Sequence, residues 1–349
     1  MASVITIRGA ACLTCLGDDL EQQVSSIADG VTGLRPLREM KDAPSGFEGL
    51  HSGWIQPRER LSHRIWSPLS VIAMEVARKA VADAGWTDLS EVPVFFATSR
   101  GNLAGSREPW PGRRPASLMA ASNSLFAEPA AAIASDFGIA APWQVVSSGC
   151  CAGQDALHMA SVWLRAGESR RALVVAADLP LVTSVLEDYR KSGILAVDDQ
   201  PGMQPAEGAA AVCLEIGEPS PGDKAPRLLE SRSVSEPGAR FGGNRPLDRL
   251  RETLVRLLDQ HGPPSFVIPH QSGTRIHRLH EQAALLQVFD ESLPQIPMKP
   301  FTGHCVGASS LIELALGCSI LESTRNAGSF LKISSALGGK HTCTWLQKS

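Results

Sequence analysis

Along the chain, short runs of apolar and β-branched residues alternate with longer stretches in which apolar positions recur every three or four residues. The short runs are VITIRG (4–9), VPVFFATS (92–99), WQVVSS (143–148), ALVVAAD (172–178), AAAVCLEI (209–216), SFVIPH (265–270), IPMKP (296–300), SFLKISS (329–335) and HTCTWLQ (341–347). Their length and apolar content predict buried strands. In PLSVIAMEVARKAVADAG, the apolar Leu69, Ile72, Ala73, Val76, Ala77, Ala80 and Val81 keep i, i+3, i+4, i+7 spacing, and Gly85 stands at the stop. That pattern predicts an amphipathic helix. Strands alternating with such helices imply βα units around a mainly parallel, buried sheet, an α/β architecture.

At 349 residues the chain accommodates two domains or one duplicated domain. Residues 219–243 are dense in Pro, Gly, Ser and charge, which places a boundary there between halves 1–218 and 226–349. With 43% hydrophobic and 20% charged residues the composition is that of a soluble globular protein. A net charge of −3 gives no global attraction to nucleic acid or an anionic membrane, so an acidic partner needs a local basic patch. The opening MASVITIRGAACLTCLGDD lacks a signal-peptide pattern and no apolar run reaches about 18 residues, so a cytoplasmic protein is expected. Eight cysteines, two of them adjacent, fit a reducing compartment better than a disulfide framework. Cys12 and Cys15 form a lone CxxC without a second pair, which reads as packing and not as a zinc or redox site.

The stretch SSGCCAGQDAL (147–157) carries the candidate chemistry. An apolar strand runs into a Ser-Gly turn and then into a helix whose apolar face includes Ala156, Leu157, Ala160 and Leu164. A cysteine at a helix start meets unpaired N–H groups and the positive end of the dipole, which favour a thiolate nucleophile. This reasoning applies equally to Cys150 and Cys151.

From Cys150 the spacing C-x-x-G-x-x-A-L (Gly153, Ala156, Leu157) resembles the nucleophile motif of the β-ketoacyl synthases, condensing enzymes of the thiolase superfamily. In that register Cys150 is the nucleophile and Cys151 a packing residue. AEGAAAVCLE (206–215) is similar to the family's Gly-Glu-Gly strand, and PHQSGT (269–274) to its His-Gly-Thr-Gly-Thr loop. KPFTGHCVGASSLIE (299–313) resembles the segment with Lys, Gly-His and Glu, and SSALGGKH (334–341) the closing Gly-Gly turn. The N-terminal GAACLTCLGDDLEQQVSSIADGVTGL is similar to the family's opening strand, loop and helix, so the resemblance runs nearly end to end.

The resemblance implies a thiolase-like α/β fold, two duplicated βα halves packed as a five-layered αβαβα sandwich. It implies decarboxylative Claisen condensation, which needs a thiolate to carry the acyl chain, donors for a malonyl-derived enolate and donors for a tetrahedral oxyanion. Carried over residue by residue, Cys150 is acylated, and His270 and His304 hold the malonyl thioester carbonyl. Lys299 orients water and His304, and Glu313 pairs with Lys299. The backbone N–H groups of Cys150 and Leu337 form the oxyanion hole, aided by Gly338 and Gly339, which with Ser272 and Thr274 also border the pantetheine arm. No cofactor or metal is implied beyond the phosphopantetheine that arrives on an acyl carrier protein. Arg58, Arg60 and Arg64, with Arg113 and Arg114, are the candidate basic patch for that acidic carrier, and a homodimer or a heterodimer with a related chain is expected. His277 and His280 form an HxxH on a predicted helix, but no further ligand is spaced for zinc.

The sequence departs from the family in places. Gln200-Pro201-Gly202 stand where Arg-Asp-Gly is expected, Ala206 replaces the first Gly of Gly-Glu-Gly, and His277-Arg278 replace Gly-Asp. The segment between EGAAA and PHQSG is short. These differences point to specialised fatty-acid or polyketide synthesis over a housekeeping role. Degradative thiolases carry a second cysteine where Ala336 and Leu337 stand. A chain-length-factor-like partner subunit would have lost Cys150, and a non-condensing acyltransferase on the same fold is separated only by assay.

Overall fold

The computed structural model describes residues 4–41, 43–102, 125–196, 200–218, 222–237 and 247–349, without the side chains of residues 276 and 277. Strand β1 (Val4–Leu13) leads to helix α1 (Leu20–Ala28), whose start is capped by the Asp19 carboxylate accepting from the Gln22 N–H. A small ribbon, β2 (Arg35–Pro36) with β3 (His51–Ser52), precedes α2 (Pro68–Asp83), where the apolar spacing predicted it. There follow β4 (Val94–Ala97), α3 (Glu128–Phe137), β5 (Trp143–Val146), α4 (Ala152–Arg165), β6 (Arg171–Asp178), α5 (Thr183–Lys191) and β7 (Gly208–Gly217). The second half runs β8 (Arg227–Ser235), α6 (Asp248–His261), β9 (Phe266–Ile268), α7 (Arg275–Leu286), the single turn α8 (Lys299–Thr302), α9 (Val306–Ser323), β10 (Ser329–Ala336) and β11 (Lys340–Gln347).

These strands, β2 and β3 apart, form one sheet in the order β5-β4-β6-β7-β1-β8-β11-β10-β9. The two halves of the sheet are joined where Ile5 and Thr6 of β1 pair with Leu228 and Arg227 of β8. Helices α4 and α9 lie between them, α2 and α3 cover the outer face of the first half, and α6 and α7 cover that of the second. Five layers result, the thiolase-like sandwich.

The expected mainly parallel sheet is instead a mixed one. β4 is parallel to β5 and β6, and β9 to β10, but β7 is antiparallel to both β1 and β6, and β11 to both β8 and β10. A three-residue turn between β10 and β11 leaves no room for the crossover that parallel strands require. IPMKP is not a strand: Gln295 makes one bridge to Val267, and the chain then enters α8, Pro297 and Pro300 having no N–H to donate. Conversely β8 lies inside the stretch read as a linker, because its residues facing α4 are polar. Ser233 donates to Asp155 at 3.1 Å, and Ser231 meets Thr344 at 3.3 Å.

Helix α9 is apolar on all sides because it is covered on all sides. Its length and composition would suit a membrane span, yet 78% of it is buried inside the protein. Leu311 and Ile312 of α9 pack with Leu157 and Ala160 of α4 and Phe330 of β10 in one core shared by both halves. A Cβ on Gly153 would fall 2.8 Å from Leu311 Cβ, so the glycine of the C-x-x-G spacing lets the two central helices touch.

Candidate active site

Strand β5 ends at Val146, and a 3-10 turn, Gly149–Cys151, carries the chain into α4. Cys150 is half-buried there, against an apolar cluster that includes Leu37, Phe47, Leu186 and Tyr189. Cys151 points inward, fully buried, with Sγ 3.7 Å from the Lys340 carbonyl oxygen. The Cys150 Sγ and one ring nitrogen each of His270 and His304 lie within 4.8 Å of one another, the two rings edge-on at 5.5 Å. Burial pushes the Cys150 thiol up to about 11, with the Lys299 charge pulling it back. Desolvation thus works against the thiolate that a helix start favours. A soft divalent cation prefers the same ligand set, so these three residues are also where the chain could hold one.

His270 follows β9 into a turn that only glycine can complete: Gly273 has φ 88, and a Cβ there would meet the Gly202 carbonyl oxygen at 2.2 Å. Glu281 of α7 accepts the His270 N–H at 2.6 Å and the Gln271 N–H at 2.9 Å, one on each oxygen. From the other side, the Lys299 ammonium donates to the His270 carbonyl at 2.5 Å and to Glu313 Oε1 at 2.5 Å. The His270 backbone is therefore held at both its N–H and its C=O. Lys299 thus reaches His270 through this carbonyl.

His304 sits between α8 and α9, its backbone exchanging hydrogen bonds with Gln204 and Ala206 in the segment that leads into β7. The Val306 N–H donates to His304 Nδ1 at 3.0 Å, and Ser309 Oγ lies 3.2 Å from the same atom. Nδ1 is thereby an acceptor, and the ring proton belongs on Nε2. Val306 does this at φ 47, a costly conformation for a β-branched residue. Asp178, at the end of β6, accepts from Thr98 Oγ1 (2.8 Å), the N–H groups of Ser99 and Arg100, and the Gly307 N–H (2.8 Å). It ties the β4 loop to the start of α9, and burial raises its carboxyl to about 6.

The other predicted residues fall as follows. Leu337, Gly338 and Gly339 make the β10–β11 turn, with Gly338 at φ 82 and Gly339 at φ 70, and the neighbouring Ala336 abuts Gly149 beside the nucleophile. Leu337 is 69% exposed. The Ser272 and Thr274 hydroxyls bond each other at 2.9 Å. Arg58 is a correction: its guanidinium is buried on Glu207, which is itself fully buried, so it presents no charge to a carrier. Arg60 is clasped by Glu75 and Asp18, and Arg64 is exposed. Arg113, Arg114 and the side chain of His277 lie outside the described residues. Cys12 accepts from Gln23 and Cys15 donates to the Thr302 carbonyl, so the CxxC packs α1 and α8 against the first half of the sheet.

Three buried groups escaped the sequence reading: Asp178, Glu281 and Lys332. Lys332 lies on β10 with its Nζ 2.7 Å from Glu313 Oε2. A lysine inside the apolar run SFLKISS was the signal, and an aspartate closing ALVVAAD was another.

The family model described as beta-ketoacyl synthase, N-terminal domain, matches residues 2–219. Nodulation protein E of Rhizobium leguminosarum bv. trifolii is 28% identical over 192 residues, which cover 51% of this chain and 48% of that protein, so the match spans about half of each. Among solved structures, the ishigamide ketosynthase/chain length factor superposes over 100% of both chains with a TM-score of 0.84 at 19% identity. A type II polyketide synthase acyl-carrier protein in complex with its ketosynthase bound to the hexaketide gives 0.82 at 20% identity, again over 100% of both chains. At these identities the structural likeness is one of fold.

Proposed function

The chain belongs to the β-ketoacyl synthase family, and we propose that it is an active condensing enzyme of specialised fatty-acid or polyketide synthesis. One observation carries this reading: the Cys150 thiol and the two imidazoles of His270 and His304 converge within 4.8 Å at the end of a strand and the start of a helix. A subunit that served only as a partner would have no need of that convergence.

In the first half-reaction an acyl thioester, delivered on the pantetheine arm of an acyl carrier protein, meets Cys150. The thiol proton passes to His270, because His304 carries its proton on Nε2 and has no free acceptor facing inward. The Cys150 sulfur bonds the acyl carbon, the backbone N–H groups of Cys150 and Leu337 receive the oxyanion, and the pantetheine sulfur leaves with the proton. In the second, a malonyl thioester places its carbonyl oxygen on Nε2–H of His304 and on His270. The bond to the carboxylate breaks, CO₂ departs, and its electron pair becomes an enolate held by these donors. The enolate carbon attacks the acyl carbonyl and expels the Cys150 thiolate, which takes up one proton.

The carrier approaches by way of Ser272, Thr274 and the exposed Arg64. Pairing with a second chain, its own copy or a relative, uses β5: this strand is the sheet edge, its Trp143 is 40% exposed, and its far end leads directly to Cys150. Intact-mass spectrometry after incubation with acyl carrier thioesters, then malonyl carrier, tests the reading. The expected result is an acyl adduct that requires Cys150 but not Cys151 and is discharged as β-ketoacyl product. An adduct that is only hydrolysed or transferred makes the protein an acyltransferase, and no adduct makes it a partner subunit.

A further inference from the structure

We propose that Lys332 is a positioning residue for His270, the second cation of a buried, charge-balanced cluster that the Lys299–Glu313 pair alone does not complete. The inference rests on the condensing reading of the site. Lys332 is fully buried in the middle of β10, and its ammonium meets Glu313 Oε2 at 2.7 Å and the Ile333 carbonyl at 2.5 Å. Glu313 thus holds one lysine on each oxygen, Lys299 on Oε1 and Lys332 on Oε2. All three side chains are buried.

The charge count explains why two lysines are present. Glu281 is a second buried carboxylate, satisfied by two backbone N–H groups and facing both Lys299 and Lys332 electrostatically. With Lys299 and Glu313 alone, the cluster would bury one uncompensated negative charge, which a low-dielectric interior does not tolerate. Lys332 makes it two against two. The titratable groups around Lys332 are Glu313 from α9, Lys299 from α8, Glu281 from α7 and Cys343 from the neighbouring strand.

This balance reaches the chemistry through the backbone of His270. Glu281 holds its N–H and Lys299 its C=O, so both clamps on the imidazole belong to the cluster. Without Lys332, Glu313 loses a fixed partner, and the cluster holds one more buried carboxylate than it has cations. One clamp then loosens, and His270 loses its aim at the malonyl carbonyl. Cys150, held by the separate turn before α4, keeps its place. Lys332 touches neither substrate nor reacting atoms.

The test compares wild type, K332M, K332R, E281Q and the K332M/E281Q double variant by two rates: acylation of Cys150 by an acyl carrier thioester, and CO₂ release from malonyl carrier. In K332M, CO₂ release should fall at least about tenfold, with acylation changed less than about threefold, and the acid limb of its pH profile should move to higher pH. The double variant, neutral again, should return that limb toward the wild-type position, and K332R should retain most activity. A uniform loss of both rates in proportion to melting temperature, with the acid limb unmoved, would overturn the proposal by making Lys332 merely structural. Should wild type acylate without releasing CO₂, the condensing reading falls. The role of Lys332 then rests on stability: K332M must be less stable than wild type near neutral pH and converge with it in acid, where the carboxylates protonate, and parallel curves would overturn it.

Discussion

The backbone N–H of Val306 donates to Nδ1 of His304 at 3.0 Å, and this bond makes Nδ1 the acceptor nitrogen of the imidazole. It leaves the proton on Nε2, so His304 presents a donor. Val306 holds this at a positive φ. The start of α9 is fixed there by Asp178, whose carboxylate takes the N–H of the next residue, Gly307.

His304→Asn should therefore separate the two half-reactions. Loss of one preorganised donor to a developing oxyanion costs about 10²–10³ in rate, so CO₂ release from malonyl carrier should drop by that order. Acylation of Cys150, which uses the backbone donors, should change little. Equal losses in both steps, read by mass spectrometry and CO₂ capture, would show that His304 acts earlier than assigned.

Burial pushes the Cys150 thiol up to about 11, above a free cysteine. Because the folded value lies above that of a free cysteine, the reactive form accumulates only as pH rises. Alkylation of Cys150 should accelerate about tenfold per pH unit from 7 to 10. Lys299→Met removes the cation that favours the thiolate, so its alkylation should be slower at each pH. A plateau below about pH 8 would mean that the thiolate is stabilised by something other than Lys299.

The arginines of QPRERLSHR separate by burial, and so should their variants. Arg58→Ala strands the buried Glu207 carboxylate, and breaking such a pair costs about 3–5 kcal/mol, so denaturant melts should show a large loss of stability. Arg64→Glu changes an exposed charge and should leave the melt unchanged while raising KM for the acyl carrier protein. An unchanged KM removes Arg64 from the docking surface.

That contrast shows what the sequence could and could not reveal. Cys150, His270, His304, Lys299 and Glu313 were legible because each lies in a motif of fixed spacing, and the structure brings all five into one buried neighbourhood. Arg58 was misread because its partner, Glu207, is 149 positions away, and no local pattern reports that a charge will be buried. Strand β8 was missed for a related reason: its inward-facing serines meet Asp155 and Thr344 and not apolar side chains, so its alternation resembles that of a loop. Helix α9 and the mixed strand directions depend on what surrounds each element, which periodicity alone does not carry.

On the condensing reading, an acyl chain on Cys150 lies against the apolar cluster that the cysteine adjoins, and Tyr189 belongs to that cluster. It is the chain's single tyrosine, buried beside Val185 and Leu186 and covered by the Arg100 guanidinium 4.9 Å above its ring. Replacing it by alanine opens a void next to the sulfur without touching a hydrogen bond of the catalytic groups. Each additional methylene that the void accepts is worth about 0.8 kcal/mol, about fourfold in relative loading. Tyr189→Ala should therefore shift the preferred acyl carrier substrate to chains longer by about two to four carbons, the growth of selectivity per carbon following that factor. Competition between acyl carrier thioesters of graded length, read as the mass distribution of adducts on Cys150, measures it directly. An unchanged distribution would place the acyl chain on the other side of Cys150, away from Tyr189.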